Sequence, residues 1–185
     1  MRFHSSLLTL ALIALFALVA GPSYSSAQNR DSAKISRLLD QADYQAQQAN
    51  NHADELQSYT YSGVCLQAQA AQLDLIRNDV NKLGKLLAQL HEIQNQGSPS
   101  QQDAINRFDP LLRQMAGQLT LTINYLNEHP DRVQMTTYKN YTHECADAAS
   151  RASRVLSKIV SHDKAQAKAK TPAHSPELPD SGTSR

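Results

Sequence analysis

LQAQAAQLDLIRNDVNKLGKLLAQL, residues 66–90, decides the fold class of this chain. Its apolar residues recur at steps of three and four, at positions 66, 70, 73, 76, 80, 83, 87 and 90. That spacing places them on one face of an α-helix and is typical of helices that pack side by side. The stretch therefore predicts a long amphipathic helix whose apolar face is covered by other helices.

Three further segments show the same periodicity. They run from Ile35 to Leu56, from Ile105 to Leu126 and from Tyr138 to Ile159. Turn-forming residues separate the four segments, namely SYTYSG at 58–63, GSP at 97–99 and HPD at 129–131. Short links between helices of similar length favour antiparallel neighbours. We therefore predict an all-α protein, an up-down-up-down antiparallel four-helix bundle.

An alternative joins the first two segments into one helix through residues 58–63. The result would be an elongated three-helix bundle with one long N-terminal helix. Gly63 and a shift in the phase of the apolar stripe favour two separate helices instead.

The third segment carries two specific local signals. Ser98, Pro99 and Gln101 have the spacing of a capping box with proline at the first helical position. Asp109-Pro110 lies farther inside the segment. Because proline removes a backbone hydrogen bond and clashes with the preceding turn, we expect a kink or a restart of the helix there.

The N-terminus has the pattern of a secretory signal peptide, residues 1–27. Arg2 precedes the uncharged apolar run Leu7–Ala20, Gly21-Pro22 follows, and small residues lead to a predicted cut after Ala27. The run is shorter than the ~20 apolar residues that span a membrane. We expect a cleaved signal peptide and an exported protein, periplasmic or secreted.

The remaining chain divides into a bundle domain, 28–164, and a tail, 165–185. Residues 165–170 (AQAKAK) can prolong the fourth helix, while prolines and small polar residues dominate from 171 onward. That composition predicts a disordered tail. No second apolar run reaches membrane length, so we expect no stable membrane span after cleavage of the signal peptide.

The charge balance argues against a nucleic-acid partner. The chain has 18 Lys and Arg against 17 Asp and Glu. Removal of residues 1–27 removes Arg2 and no acidic residue, which leaves the positive and negative charges equal. A protein without a basic field lacks the electrostatic attraction on which nucleic-acid binding depends.

Cys65 and Cys145 are the only cysteines, and an oxidising compartment would allow them to pair. The predicted topology puts both at the same end of the bundle. Cys145, however, lies ~10 Å deeper along its helix, judged from the rise per residue, whereas a disulfide needs Cα atoms within about 7 Å. The pair is a candidate disulfide; the alternative is that Cys145 is a small buried residue of the core.

Signatures of known chemistry are missing from the sequence. It contains no Glu-x-x-His, His-Glu-x-x-His, Cys-x-x-Cys-His, Gly-x-Ser-x-Gly or glycine-rich phosphate loop. His52 and His91 could serve as axial haem ligands only if they faced the core, and neither lies on its apolar stripe. We therefore predict no catalytic residues, no metal and no cofactor.

Aromatic residues gather at one end of the predicted bundle, which we call the tyrosine end. It consists of Tyr59, Tyr61, Tyr125, His129, Tyr138, Tyr141 and His143. Tyrosine combines apolar area with a polar tip, which suits a partly hydrated binding site. The alternative is an aromatic plug that closes the bundle without binding anything.

Three stretches carry a resemblance to other proteins: YTYSGV at 59–64, NRFDPLL at 106–112 and YLNEHP at 125–130. They resemble segments of uncharacterised exported α-helical proteins of soil bacteria, and the likeness extends over most of the chain after residue 27. The resemblance implies an exported helical fold and carries no activity with it.

These observations together predict an exported, non-enzymatic helical bundle with a structural or binding role in the cell envelope. Its partner would be an envelope protein or a small ligand. One alternative is a periplasmic sensor or carrier that binds haem or a metal inside the bundle. Another is a helical periplasmic stress chaperone.

Overall fold

Four long helices make up the computed structural model, which describes the backbone of residues 23–170 and the side chains of residues 30–166, 168 and 169. The helices are α1 (Ser23–Ser62), α2 (Leu66–Ile93), α3 (Pro99–Glu128) and α4 (Thr136–Lys170), with a short 3-10 helix at Gln94–Gln96. The apolar run 7–20 of the predicted signal peptide and the tail residues 171–185 lie outside the described residues. The predicted cut after Ala27 falls within α1.

The helices form an all-α bundle, which confirms the predicted fold class. α1 packs on α2 and α4, and α3 packs on α2 and α4, while α1 and α3 face each other across the diagonal. Gly63 ends α1 with φ +72°, a left-handed conformation that glycine adopts without strain. The backbone N–H of Val64 then bonds to the carbonyl oxygen of Tyr59. The single long N-terminal helix of the alternative prediction is therefore wrong.

The core runs along the whole bundle, and the size of its side chains differs between the helices. α2 and α3 contribute large side chains such as Ile76, Leu83, Phe108 and Met115, all fully buried. α1 and α4 contribute alanines, at positions 42, 46, 49 and 53 and at 146, 148, 149 and 152. Small side chains at a helix contact allow the two axes to lie close together.

The link between α2 and α3 follows the sequence signals. The Ser98 hydroxyl accepts from the backbone N–H of Gln101, and the Gln101 side chain accepts from the N–H of Ser98, so the predicted capping box is present. α3 continues through Pro110, and the predicted restart there does not occur. The ion pair between Arg113 and Asp109 spans the turn that follows the one in which the proline lacks its hydrogen bond.

α4 extends to Lys170, six residues past the predicted domain end at 164. Alanine, lysine and glutamine have high helix propensity, which explains the extension through AQAKAK. Within residues 23–170, no helix is both long and apolar enough to cross a membrane.

Candidate functional site

The tyrosine end is assembled by the antiparallel topology, which brings the end of α3 against the start of α4. The ring of Tyr125 lies at its centre. Its centroid is 5.9 Å from the stacked ring of Tyr138, 5.4 Å from Tyr141 and 4.8 Å from His129, which meets it edge-on. These separations are those of interacting aromatic pairs. Four of the seven predicted residues therefore form one continuous aromatic cluster.

Tyr138 is the innermost member of this cluster. Its side chain is fully buried, and its hydroxyl has no hydrogen-bond partner among the described residues. Burial, with a smaller contribution from Cys145, raises the pKa of Tyr138 well above its usual range. Tyr125 and Tyr141 are half-buried around it. This end of the bundle therefore has one fully buried tyrosine beside two half-buried ones.

Tyr61 belongs to a different, outward-facing part of the same end. Its side chain is 63% exposed, and Nζ of Lys139 on α4 lies 5.4 Å from its ring centroid. Met135, one turn before Lys139, is 56% exposed. We call Tyr61, Met135 and Lys139 the outer patch. The sequence analysis did not find Met135 or Lys139, because only the packing of α1 against α4 places Lys139, and with it the adjoining turn that holds Met135, at the Tyr61 side of this end.

The two remaining predicted residues, Tyr59 and His143, each form a side-chain hydrogen bond at this end of the bundle. The Tyr59 hydroxyl donates to Glu55 at 2.5 Å, and this hydrogen bond raises the pKa of Tyr59. Nδ1 of His143 lies 2.8 Å from the side-chain nitrogen of Gln57, which connects α4 to α1. Through these contacts both side chains are held against neighbouring helix residues.

Buried threonines hold the helix ends together beneath the aromatic rings. Oγ1 of Thr60 on α1 lies 3.4 Å from Oγ1 of Thr142 on α4. Thr122 on α3 donates to the carbonyl oxygen of Tyr141, at 3.2 Å. All three side chains are fully buried. These contacts join three helices at the tyrosine end and give the outer patch a fixed base.

The candidate disulfide is not formed, and both cysteines are free. Cys65 is exposed immediately before α2, whereas Cys145 is buried nine residues into α4, about 13 Å along the axis at 1.5 Å per residue. Cys65 directly precedes α2 and Cys145 lies in α4, and these two helices are not in contact within the described bundle. Burial raises the pKa of the Cys145 thiol to about 12, which is the condition of an inert core thiol.

Residues that could hold a metal or haem are dispersed. No group of three or more His, Cys, Asp and Glu side chains within the described part of the chain has a geometry that could hold a metal ion. Nδ1 of His52 lies 2.6 Å from Asp79, and the exposed His91 lies 3.1 Å from Gln94. Both histidines are thus held by polar neighbours rather than directed at each other across the core.

Comparisons of the chain with known proteins found no similar protein. No protein-family model, no curated protein and no solved structure matches the chain. The functional interpretation therefore depends on the geometry of the chain itself, and the resemblance to exported proteins of soil bacteria stays a prediction.

Proposed function

We propose that this chain is an exported, non-enzymatic helical-bundle protein that binds another protein of the cell envelope through the outer patch. The observation that carries the proposal is the exposure of Tyr61 and Met135 beside the cationic Lys139. Tyrosine and methionine are enriched in the cores of protein interfaces, and tyrosine is a frequent source of binding energy there. The signal-like segment 1–27 supports export to the envelope.

The base of the patch supports this role. Tyr61 lies in the last turn of α1, and Lys139 lies in the first turns of α4. A Cβ built on Gly63 would lie 3.7 Å from the side chain of Gln134. The link between α1 and α2 is therefore next to the link between α3 and α4. Side chains on such a fixed base lose less conformational entropy on binding than side chains on a free loop.

The chemistry of the patch defines the kind of partner. Tyr61 and Met135 offer apolar area, and Lys139 adds one positive charge. No described carboxylate lies within 4.0 Å of Nζ of Lys139, so this charge has no ion-pair partner within residues 30–166. A matching protein surface would present apolar side chains next to an aspartate or glutamate.

A photo-crosslinking experiment in envelope extracts tests the binding proposal. The exported protein carries a crosslinker at Thr137, an exposed position between Met135 and Lys139. We expect a discrete crosslinked species that weakens strongly with Tyr61→Ser and Met135→Ser. Tyr44→Ser is the matched control, because Tyr44 is 64% exposed but lies far along α1. No discrete species, or equal loss with Tyr44→Ser, would contradict the proposal.

A separate measurement tests export. Mass spectrometry of protein recovered outside the cytoplasm should find a chain that begins at Gln28. Recovery only of the full chain from Met1, inside the cytoplasm, would refute the signal peptide without bearing on the outer patch.

A further inference from the structure

A groove of about 400 Å³ lies at the end of the bundle opposite the tyrosine end. The first turns of α3 and residues 155–163 of α4 form its walls, and Leu39 of α1 also lines it. The lining residues that bear on its chemistry are Ser100, Ala104, Arg107, Lys158, Ile159 and His162. The volume falls in the range of sites that bind small molecules.

The floor of the groove is apolar. Leu39 and Ala104 come from the core, and Val155 and Ile159 are half-buried along α4. An aliphatic chain lying along this floor would bury part of its apolar surface against these side chains. Such burial is favourable in proportion to the apolar area removed from water.

The rim of the groove carries two acidic side chains, Asp103 and Asp163, and two basic side chains, Arg107 and Lys158. Asp103 and Arg107 pair with each other at 3.5 Å. Oδ2 of Asp163 accepts hydrogen bonds from Ser36 on α1 and from Gln101 on α3, both of which are uncharged. Lys158 remains, with no carboxylate of the described chain within 4.0 Å of its Nζ.

Two further groups on the rim can donate hydrogen bonds to a ligand. His162 lies one turn beyond Lys158 on the same helix and also lines the groove. Ser100 lies in the first turn of α3, where the aligned backbone dipoles attract anions. Lys158, His162 and the start of α3 thus face the same opening from two walls.

Gln101 fixes the shape of the groove before any ligand enters. Gln101 is only 2% exposed. Its side-chain amide forms hydrogen bonds with Ser32 and Ser36 on α1 and with Asp163 on α4. It also accepts from the backbone N–H of Ser98, the residue that precedes α3. Every polar atom of this amide has a partner. The two walls are therefore held at a fixed separation, and binding needs little reorganisation.

We propose that this groove binds an amphipathic carboxylate, a fatty acid of medium chain length. The carboxylate lies at Lys158, His162 and the N-terminus of α3, and the aliphatic chain lies along Leu39, Ala104 and Ile159. The site is independent of the outer patch, which is at the other end of the bundle.

Titration of the purified full-length protein with sodium decanoate, followed by amide chemical shifts in NMR spectra, tests the site. We expect saturable shifts at residues 100–107 and 155–163 and none at the outer patch. Decanol, which has the same chain without the charge, should bind at least about tenfold more weakly, a difference of about 1.4 kcal/mol.

Two variants separate the charge from the apolar floor. Lys158→Gln should weaken decanoate binding about three- to tenfold, as expected for a partly screened ion pair, and leave decanol unaffected. Ile159→Glu should abolish binding of both probes, with a thermal unfolding curve to verify the fold. Arg154→Gln, an exposed change on α4 outside the lining, is the matched control. Unchanged affinity in Lys158→Gln, or shifts dispersed over the whole surface, would overturn the proposal.

Discussion

Oδ2 of Asp79 on α2 lies 2.6 Å from Nδ1 of His52 on α1, and the other carboxylate oxygen accepts from the Gln45 side chain at 2.7 Å. Asp79 is only 3% exposed, although it is charged and lies next to the apolar stripe of its helix. A buried carboxylate is tolerated when hydrogen bonds satisfy it. This cluster therefore adds polar contacts to the apolar packing that sets the register of α1 against α2.

Asp79→Ala should lower the free energy of unfolding by about 1–2 kcal/mol, because Gln45 and His52 lose a shared acceptor. Urea unfolding followed by circular dichroism measures the change. Asp74→Ala is the matched control on the same helix, since Asp74 is 61% exposed and pairs only with Arg77. That control should change stability by less than about 0.5 kcal/mol. Equal effects of the two substitutions would show that the cluster does not stabilise the fold.

A pair of glycine substitutions distinguishes close packing from helix propensity. A Cβ at Gly97 would lie 2.8 Å from Cδ1 of Ile35 and 3.2 Å from the carbonyl oxygen of Gln94. Gly97→Ala should therefore destabilise the protein by about 1–3 kcal/mol through overpacking. Gly117 lies inside α3 with nothing within 4 Å of its Cβ position, so Gly117→Ala should stabilise it by about 0.5–1 kcal/mol. Thermal melts of both variants check the opposite signs.

Thiol labelling should report two free cysteines of very different reactivity. Cys65 is exposed and should react with a maleimide at once in native protein, whereas the buried Cys145 should react only after unfolding in urea. Peptide mass spectrometry identifies the labelled position. A native protein that takes up no label and gains two hydrogens on reduction would instead contain the Cys65–Cys145 disulfide.

Alkaline pH should destabilise the protein through two buried groups, the thiol of Cys145 and the phenol of Tyr138. Burial raises the pKa of Cys145 from 9.0 to about 12, so between these values the unfolded chain releases a proton that the folded chain retains. Stability is therefore complete below pH 9 and decreases as the pH rises toward 12. Tyr138, whose pKa is also raised, acts in the same direction above pH 10.

Urea unfolding at pH 8, 9, 10 and 11 measures this loss. Cys145→Ala should make the decrease shallower by up to about 1.4 kcal/mol per pH unit between pH 9 and pH 11. Cys65→Ala removes an exposed thiol and serves as the control. If Cys145→Ala and the parent protein lost stability in parallel, Cys145 would not be the group responsible.

The helices themselves could be predicted from local pattern. The steps of three and four in residues 66–90 require a helix with one covered face, and Gly63 and Ser98-Pro99 mark where helices end and begin. These signals act within a few residues of each other, so the chain alone carries them. The tyrosine end was predictable for the same reason, because short links dictate which helix ends meet.

The division of that end into a buried cluster and an exposed patch depends on tertiary structure. Tyr138 and Tyr61 are the same residue type near helix ends, yet one is fully buried and the other is 63% exposed. The rotation of each helix about its axis decides this, and it is set by the packing of all four helices together. The same holds for Asp79 with His52 and for Gln101 with Asp163, which are 27 and 62 residues apart in the chain.

The sequence by itself determined the class of fold, the order and approximate ends of the helices, and the end where the aromatic residues meet. Those features depend on backbone propensity and on apolar periodicity, which are local. Only the tertiary structure decided which polar side chains are buried together, that Cys65 and Cys145 stay free, and that α3 and α4 enclose a groove. Those features depend on distances between helices, which no stretch of the chain specifies alone.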